Sequence, residues 1–188
     1  VSGTVGTETK KANVDVVLIV DTSGSMGDKV TINNQKKTKL KVTQKAIEGL
    51  VNTFNSNNTV DVRYKLVTFA SGANLQTKNW VNGNQLVTYV DSLSADGGTN
   101  YDKGLSLGAD AISTSSSTQA RPNPQKIVIF LTDGEPTYYG NRPSGGGYYT
   151  DTATYKNALL SAAKVSCDKF YAIGIGLPKK VDIYASYW

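Results

Sequence analysis

The sequence predicts an α/β fold: an open, mostly parallel central sheet with one antiparallel edge strand and helices on both faces. Three observations carry that reading. Val14-Asp15-Val16-Val17-Leu18-Ile19-Val20 is an almost unbroken apolar, β-branched run, the composition of a strand buried on both faces. Two further runs, Ile127-Val128-Ile129-Phe130-Leu131 and Phe170-Tyr171-Ala172-Ile173-Gly174-Ile175, share that character. Between the runs, apolar residues step by three and four, so strands alternate with helices along the chain.

The elements follow in order. Residues 1–13 are polar and contain lysine, and read as a lead-in to one domain over 14–188. After the first strand, Leu40, Thr43, Ile47, Leu50 and Phe54 place one stripe on one face of a helix. Val60 to Phe69 alternates as a strand, and Leu75 to Trp80 is expected to pair with it as the antiparallel edge. Leu86, Val90 and Leu93 suggest a short helix, and Leu105, Ala109 and Ile112 another. The strand Ile127–Leu131 precedes a fourth helix, expected to bury Tyr155, Leu159 and Ala162, and the run Phe170–Ile175 closes the sheet. Pro178 to Trp188 follow the end of that strand near Leu177.

Composition removes whole classes of chemistry. The 188 residues include no histidine and one cysteine, Cys167. There is therefore no Ser-His-Asp or Cys-His pair, no His-ligated or thiolate zinc cluster, and no internal disulfide. No nucleophile–base pair stands out, so an enzyme is not expected. The hydrophobic share of 39% and charged share of 19% fit an ordinary folded domain. Lys and Arg number 20 against 15 Asp and Glu, a net +5, but the lysines are scattered apart from Lys36-Lys37-Thr38-Lys39-Leu40-Lys41. That run overlaps the start of the first helix and reads as a solvated helix face, so nucleic acid is not expected as a partner. No apolar stretch approaches the ~20 residues of a membrane span, so direct membrane insertion is not expected either. The N-terminus lacks the charged and apolar regions of a signal peptide, and a start at Val rather than Met reads as a piece of a longer chain. Cys167 reads as a small apolar residue, buried or half-buried, rather than a reactive thiol.

Open α/β sheets bind ligands beyond the carboxyl ends of their strands. Asp21-Thr22-Ser23-Gly24-Ser25 follows the first strand, Thr132-Asp133-Gly134-Glu135 follows Leu131, and Gly97-Gly98-Thr99-Asn100 precedes the helix of Leu105. Each loop offers hard oxygen donors, which suit Mg²⁺, Mn²⁺ or Ca²⁺ rather than zinc or copper. In a tight turn leaving a strand, alternate side chains of Asp-x-Ser-x-Ser can reach one point, and Gly24 lets the backbone turn. Taken singly, Asp21 and Ser23 could cap a helix and Asp133-Gly134 could make a turn. Taken together, those readings leave unexplained why oxygen donors follow two separate strands and precede a helix. A dehalogenase-type phosphotransfer loop would want a second Asp where Ser23 stands, and a phosphate-binding loop would want a lysine that Ser-Gly-Ser-Met lacks.

Asp21-x-Ser23-x-Ser25, then Thr99, then Asp133 in Leu-Thr-Asp-Gly, resembles the von Willebrand factor type A domain with its metal-ion-dependent adhesion site, over about Val14 to Leu177. The resemblance implies a Rossmann-like sheet and gives each residue a role. Ser23, Ser25 and Thr99 would supply hydroxyl oxygens to the metal, while Asp21 and Asp133 would act largely through water. Thr99 would be where ligand-linked shifts begin. The implied ion is Mg²⁺ or Mn²⁺, with Ca²⁺ ranked behind both. Because neutral ligands leave most of the 2+ charge uncompensated, an open position on the ion would favour a partner's carboxylate.

Three departures from the family pattern are visible. A segment at about 28–38 separates the metal loop from the first helix. A Tyr- and Gly-rich stretch at about 137–154 follows Asp133, with Tyr138, Tyr139, Arg142, Tyr148 and Tyr149. Tyrosine with Gly, Ser, Asn and Arg is the composition of an adaptable recognition surface, so those five residues are expected to bind the partner. At the C-terminus, the family's last strand and helix cannot both be placed in Pro178–Trp188. The wording Asp-Thr-Ser-Gly-Ser-Met, Gly-Gly-Thr-Asn-Tyr-Asp and Leu-Thr-Asp-Gly-Glu-Pro-Thr resembles that of pilus tip adhesins of Gram-positive bacteria. This implies a secreted virulence factor at the cell surface, anchored to the cell wall through its parent protein and joined to other pilus subunits through further domains. Its partner would be a host extracellular matrix or cell-surface protein of collagen, fibronectin or fibrinogen type. The rival expectation is an intracellular accessory module that partners an ATPase of chelatase or chaperone type.

Overall fold

A computed structural model describes residues 10–113, 119–141, 143–177 and 183–184. Strand β1 (Ala12–Asp21) starts two residues before the expected Val14 and is buried from Val14 onward. A 3₁₀ turn at Gly24–Gly27 follows, pinned by the fully buried Met26. The segment expected as an inserted loop is a β-hairpin, β2 (Lys29–Ile32) with β3 (Gln35–Thr38). Its turn residues Asn33 and Asn34 sit at φ 50° and 61°, the left-handed pair that a two-residue hairpin needs and asparagine tolerates. Helix α1 (Lys39–Ser56) starts at Thr38, whose hydroxyl accepts the Lys41 N–H, and buries Leu40, Thr43, Ile47 and Val51.

Strand β4 (Val60–Phe69) runs parallel to β1 in register from Ala12↔Val60 to Asp21↔Phe69. The antiparallel edge is shorter and earlier than expected: β5 (Ala73–Leu75) pairs with Val67–Phe69, and only an isolated bridge, Tyr64↔Val81, continues it. Gln76 still donates its N–H to the Leu66 carbonyl, and beyond it Thr77 turns inward, where its hydroxyl accepts the Leu66 N–H. Helices α2 (Gly83–Asp91) and α3 (Tyr101–Ser113) precede β6 (Gln125–Thr132), which flanks β1 on the other side, again parallel. Then come β7 (Thr150–Asp151), α4 (Thr152–Ala162), β8 (Lys169–Gly174) and β9 (Ile183–Tyr184). The short β9 pairs with β7, outside the main sheet.

The sheet order β5-β4-β1-β6-β8 is parallel except for β5, and its two faces have separate cores. Strand period sorts them. Val14, Val16, Leu18 and Val20 pack with Ile47 and Val51 of α1 and Leu86 and Val90 of α2. Val17 and Ile19 face the opposite way, toward Leu105 and Ile112 of α3 and Phe130 of β6. At the far end of the sheet from the strand carboxyl termini, buried Asp15 accepts hydrogen bonds from Arg63 at 2.7 Å and Arg121 at 2.9 Å. The Arg63 guanidinium also lies 4.5 Å over the Trp80 ring.

Two sequence expectations are corrected. Strand β8 is not buried on both faces: all six residues are exposed, because it forms the edge of the sheet beyond β6. Helix α4 does not bury Tyr155 and Leu159, which are 45% and 53% exposed. Its inward face is Thr154, Ala158 and Ser161, set by hydrogen bonds of Ser161 to Asp102 and Ser106 of α3. Cys167 is a free, half-buried thiol packed at the α3 face, as expected. Among the described residues no helix is long and apolar enough to cross a membrane.

Candidate metal centre

The chain crosses from one side of β1 to the other between β4 and β6, so the crevice beyond the ends of β1 and β6 is the switch point where such sheets place ligands. Asp21 ends β1, and Asp133 directly follows β6. The β1 loop folds onto its own aspartate, the Ser23 N–H donating to Asp21 Oδ1 at 2.8 Å. That turn brings Ser23 Oγ within 3.1 Å of Ser25 Oγ, and Ser25 Oγ donates to Asp133 Oδ1 at 2.8 Å. Thr99 and Asp133 line the same cleft, of about 810 Å³, as Ser25. The structure therefore brings the five sequence-predicted ligands to one edge of the sheet.

Backbone contacts lock the loops together. The Gly24 N–H donates to the Gly97 carbonyl at 2.8 Å, and the Asp96 N–H to the Thr22 carbonyl at 2.9 Å. A Cβ on Gly24 would stand a tight 3.3 Å from the Gly97 oxygen, and Gly97 itself holds φ +81°, a conformation that favours glycine. The Asp21 carboxylate is buried, and its Oδ2 accepts the Thr132 hydroxyl at 2.7 Å. Burial pushes the Asp21 carboxyl up to about 6, against the opposing pull of its Ser23 and Thr132 hydrogen bonds. Tyr101 bridges beneath, in hydrogen-bond contact with the Thr132 hydroxyl and the Gly134 carbonyl; burial pushes its phenol up as well.

This donor set fits a hard divalent cation. It offers two carboxylates and three hydroxyls, with no sulfur or imidazole. A cation would also relieve the cost of burying Asp21, and the cleft leaves a face open to a partner. Among the described residues no three Asp, Glu, Cys or His side chains cluster, so the site depends on hydroxyl oxygens.

The chain belongs to the von Willebrand factor type A domain family. The family model matches residues 15–183. The fold is shared with the PilB minor pilin from Streptococcus sanguinis at TM-score 0.65 and 21% identity, over 88% of this chain and 51% of that one. It is shared with the pilus adhesin SpaC from Lactobacillus rhamnosus GG at 0.61 and 20%, over 87% and 24%. It is shared too with an aerotolerance-related membrane protein from Bacteroides fragilis at 0.57 and 19%, over 89% and 70%. The chain thus spans about half the length of the S. sanguinis pilin. Compared by sequence with curated proteins, it has no match.

The vWA chain carries its Tyr-rich segment on the metal side of the sheet, but only part of it reaches the cleft. Tyr138 and Tyr148 line it, and Tyr148 is 98% exposed. The Tyr138 ring lies so close over Gly98 that a Cβ there would come within 2.2 Å of it. Tyr139 instead bridges to Ser144, and Tyr149 packs edge-to-face on Tyr184 at 5.4 Å. Arg142 lies outside the described residues. The segment also ends earlier than expected, since β7 and the first turn of α4 occupy Thr150–Thr154.

Two residues of the site escaped the sequence reading. Thr137 accepts the Thr99 N–H on its hydroxyl at 3.0 Å. Lys39, read as part of a solvated helix face, turns its ammonium into the cleft, 2.9 Å from Asp133 Oδ2, with its side chain 13% exposed. A signal for it existed: α1 opens with Lys39 and Lys41 and has no acid in its first turn, an arrangement the helix dipole disfavours unless an anion lies nearby.

Proposed function

We propose that this vWA domain is a metal-ion-dependent adhesion module of a bacterial surface or pilus-tip protein, binding rather than catalytic. It would engage a host extracellular matrix or cell-surface protein through a carboxylate on that partner. The observation that carries this reading is the meeting of Asp21, Ser23, Ser25 and Asp133 in one hydrogen-bonded cluster that Thr99 joins in an open cleft beside an exposed tyrosine. When bound, Mg²⁺ or Mn²⁺ supplies a Lewis-acidic position that a carboxylate oxygen can complete. The chain's own part is positioning. Asp21 braces the Ser23 turn, Asp133 orients Ser25, and the glycine-lined floor lets a partner side chain approach. Tyr148 offers apolar area at the mouth of the cleft, the type of side chain that anchors protein interfaces.

The fold shared with PilB, a minor pilin, and SpaC, a pilus adhesin, supports a surface location, with wall anchoring and pilus assembly left to the rest of a longer protein. A second reading is an intracellular accessory module that partners an ATPase of chelatase or chaperone type, which would use the same cleft to hold a partner's carboxylate. The exposed tyrosine beside the cleft favours adhesion. The test is binding to immobilised collagen, fibronectin and fibrinogen in Mg²⁺ and in chelator, with Asp133→Ala beside the wild type. The adhesion reading expects a partner lost in chelator and in the variant. Binding that survives both would remove the metal from recognition, and no binding to any host protein would favour the accessory reading.

A further inference from the structure

We infer that Lys39 is a tethered competitor for the metal position, holding Asp133 until a divalent cation displaces it. The inference rests on the metal-centre reading above. Both oxygens of Asp133 are committed, Oδ1 to the Ser25 hydroxyl and Oδ2 to the Lys39 ammonium. The Asp133 side chain has no exposure at all, and that of Lys39 very little. A cation drawing on Asp133 and Ser25 therefore meets a positive charge already seated against the same carboxylate.

The fold fixes that charge in place. Lys39 is the first residue of α1; its N–H donates to the Asp28 carbonyl at 2.9 Å, so the β2–β3 hairpin is closed at its base and delivers the lysine to the cleft. Its aliphatic stem runs beside Gly176, where a Cβ would come within 3.4 Å of the Lys39 chain. The Lys39 ammonium therefore compensates the buried Asp133 carboxylate and opposes an incoming cation by like-charge repulsion. Metal occupancy then requires a higher divalent concentration than the same oxygen donors would need without the lysine.

Two measurements test this. The first is titration of Mn²⁺ and Mg²⁺ into wild type, Lys39→Met and Lys39→Gln by calorimetry, with Asp133→Ala as the site control. Removing the charge is expected to tighten binding by about tenfold or more. In chelator the Lys39 variants are expected to melt below wild type, and the gap should close or reverse in saturating Mn²⁺. Unchanged or weaker metal binding, or an equal melting deficit with and without metal, would make Lys39 a plain structural ion pair and overturn the inference. The second uses the unmodified protein: acetylation of Lys39, followed by mass spectrometry, should quicken when Mn²⁺ is added, because the amine leaves Asp133. A rate that stays the same or falls would overturn it too. If no chain shows saturable metal binding, the metal-centre reading fails and this inference with it. If wild type binds metal, Asp133→Ala does not, and Lys39 variants match wild type, this inference alone fails.

Discussion

Thr99 and Thr137 hold each other through a reciprocal pair of hydrogen bonds. The Thr99 N–H donates to Thr137 Oγ1 at 3.0 Å, and the Thr99 carbonyl accepts the Thr137 N–H at 2.8 Å. The same carbonyl accepts the Tyr138 N–H at 3.0 Å, and Asn100 donates from its side chain to the Gly140 carbonyl. A candidate metal ligand and the start of the Tyr-rich segment are thus one hydrogen-bonded unit. Any movement of Thr99 is passed directly to the cleft wall.

Thr137→Val keeps the shape of that contact and removes its acceptor. Both threonines are buried, so the Thr99 N–H would be left unpaired, a loss of about 1–3 kcal/mol. The expected outcome is a lower denaturation midpoint together with weaker Mn²⁺ binding. A drop in stability with metal affinity intact would show that Thr99 does not need Thr137 to reach the ion.

Tyr148 and Tyr138 should separate recognition from packing. Tyr148 is 98% exposed, so Tyr148→Ser should change stability by no more than about 0.5 kcal/mol. Its effect should fall on partner binding, with metal affinity unchanged. Tyr138→Ser removes the ring that lies over Gly98 and beside Gly147, so it should lower stability as well. Partner binding that ignores both substitutions would remove the tyrosines from recognition.

Tyr64 carries a cost inside the sheet. Its hydroxyl is buried and has no hydrogen-bond partner among the described residues. Tyr64→Phe should therefore be neutral or stabilising, by about 1 kcal/mol. Burial also pushes the phenol up to about 12 from its ordinary value of 10. Between those values the folded chain holds a proton that the unfolded chain has lost, so stability falls as pH rises through that window. The phenylalanine variant should lose less stability than wild type between pH 10 and 12, read as the difference between two urea titrations.

Asp15 serves as a control at the opposite end of the sheet. It is 3% exposed and faces both Arg63 and Arg121, so Asp15→Ala leaves two guanidinium groups without their shared carboxylate. A loss of about 3–5 kcal/mol is expected. Metal affinity of the folded fraction should not move, because the cluster sits toward the amino ends of the strands, away from the metal loops. A shift in Mn²⁺ affinity would mean the two ends are coupled through β1.

The sequence by itself determined the alternation of strands and helices and the presence, though not the bounds, of an antiparallel edge, and it carries the five oxygen donors that the fold gathers. Those features are local. A β-branched run declares a central strand, a three-and-four step declares a helix, and Asp-x-Ser-x-Ser declares a turn with its side chains on one side. Tertiary structure alone decided that the run Phe170–Ile175 lies at an exposed edge, since strand order is a property of pairing and not of composition. It decided that α4 turns Thr154, Ala158 and Ser161 inward, because hydrogen bonds to Asp102 and Ser106 outweigh its apolar stripe. It decided that Tyr138 and Tyr148, but not Tyr139 and Tyr149, line the cleft. Above all it turned Lys39 from a surface charge into the neighbour of Asp133, 94 residues away. An ion pair between residues so distant is set by how the hairpin seats the first helix against the sheet, and no local pattern encodes that distance.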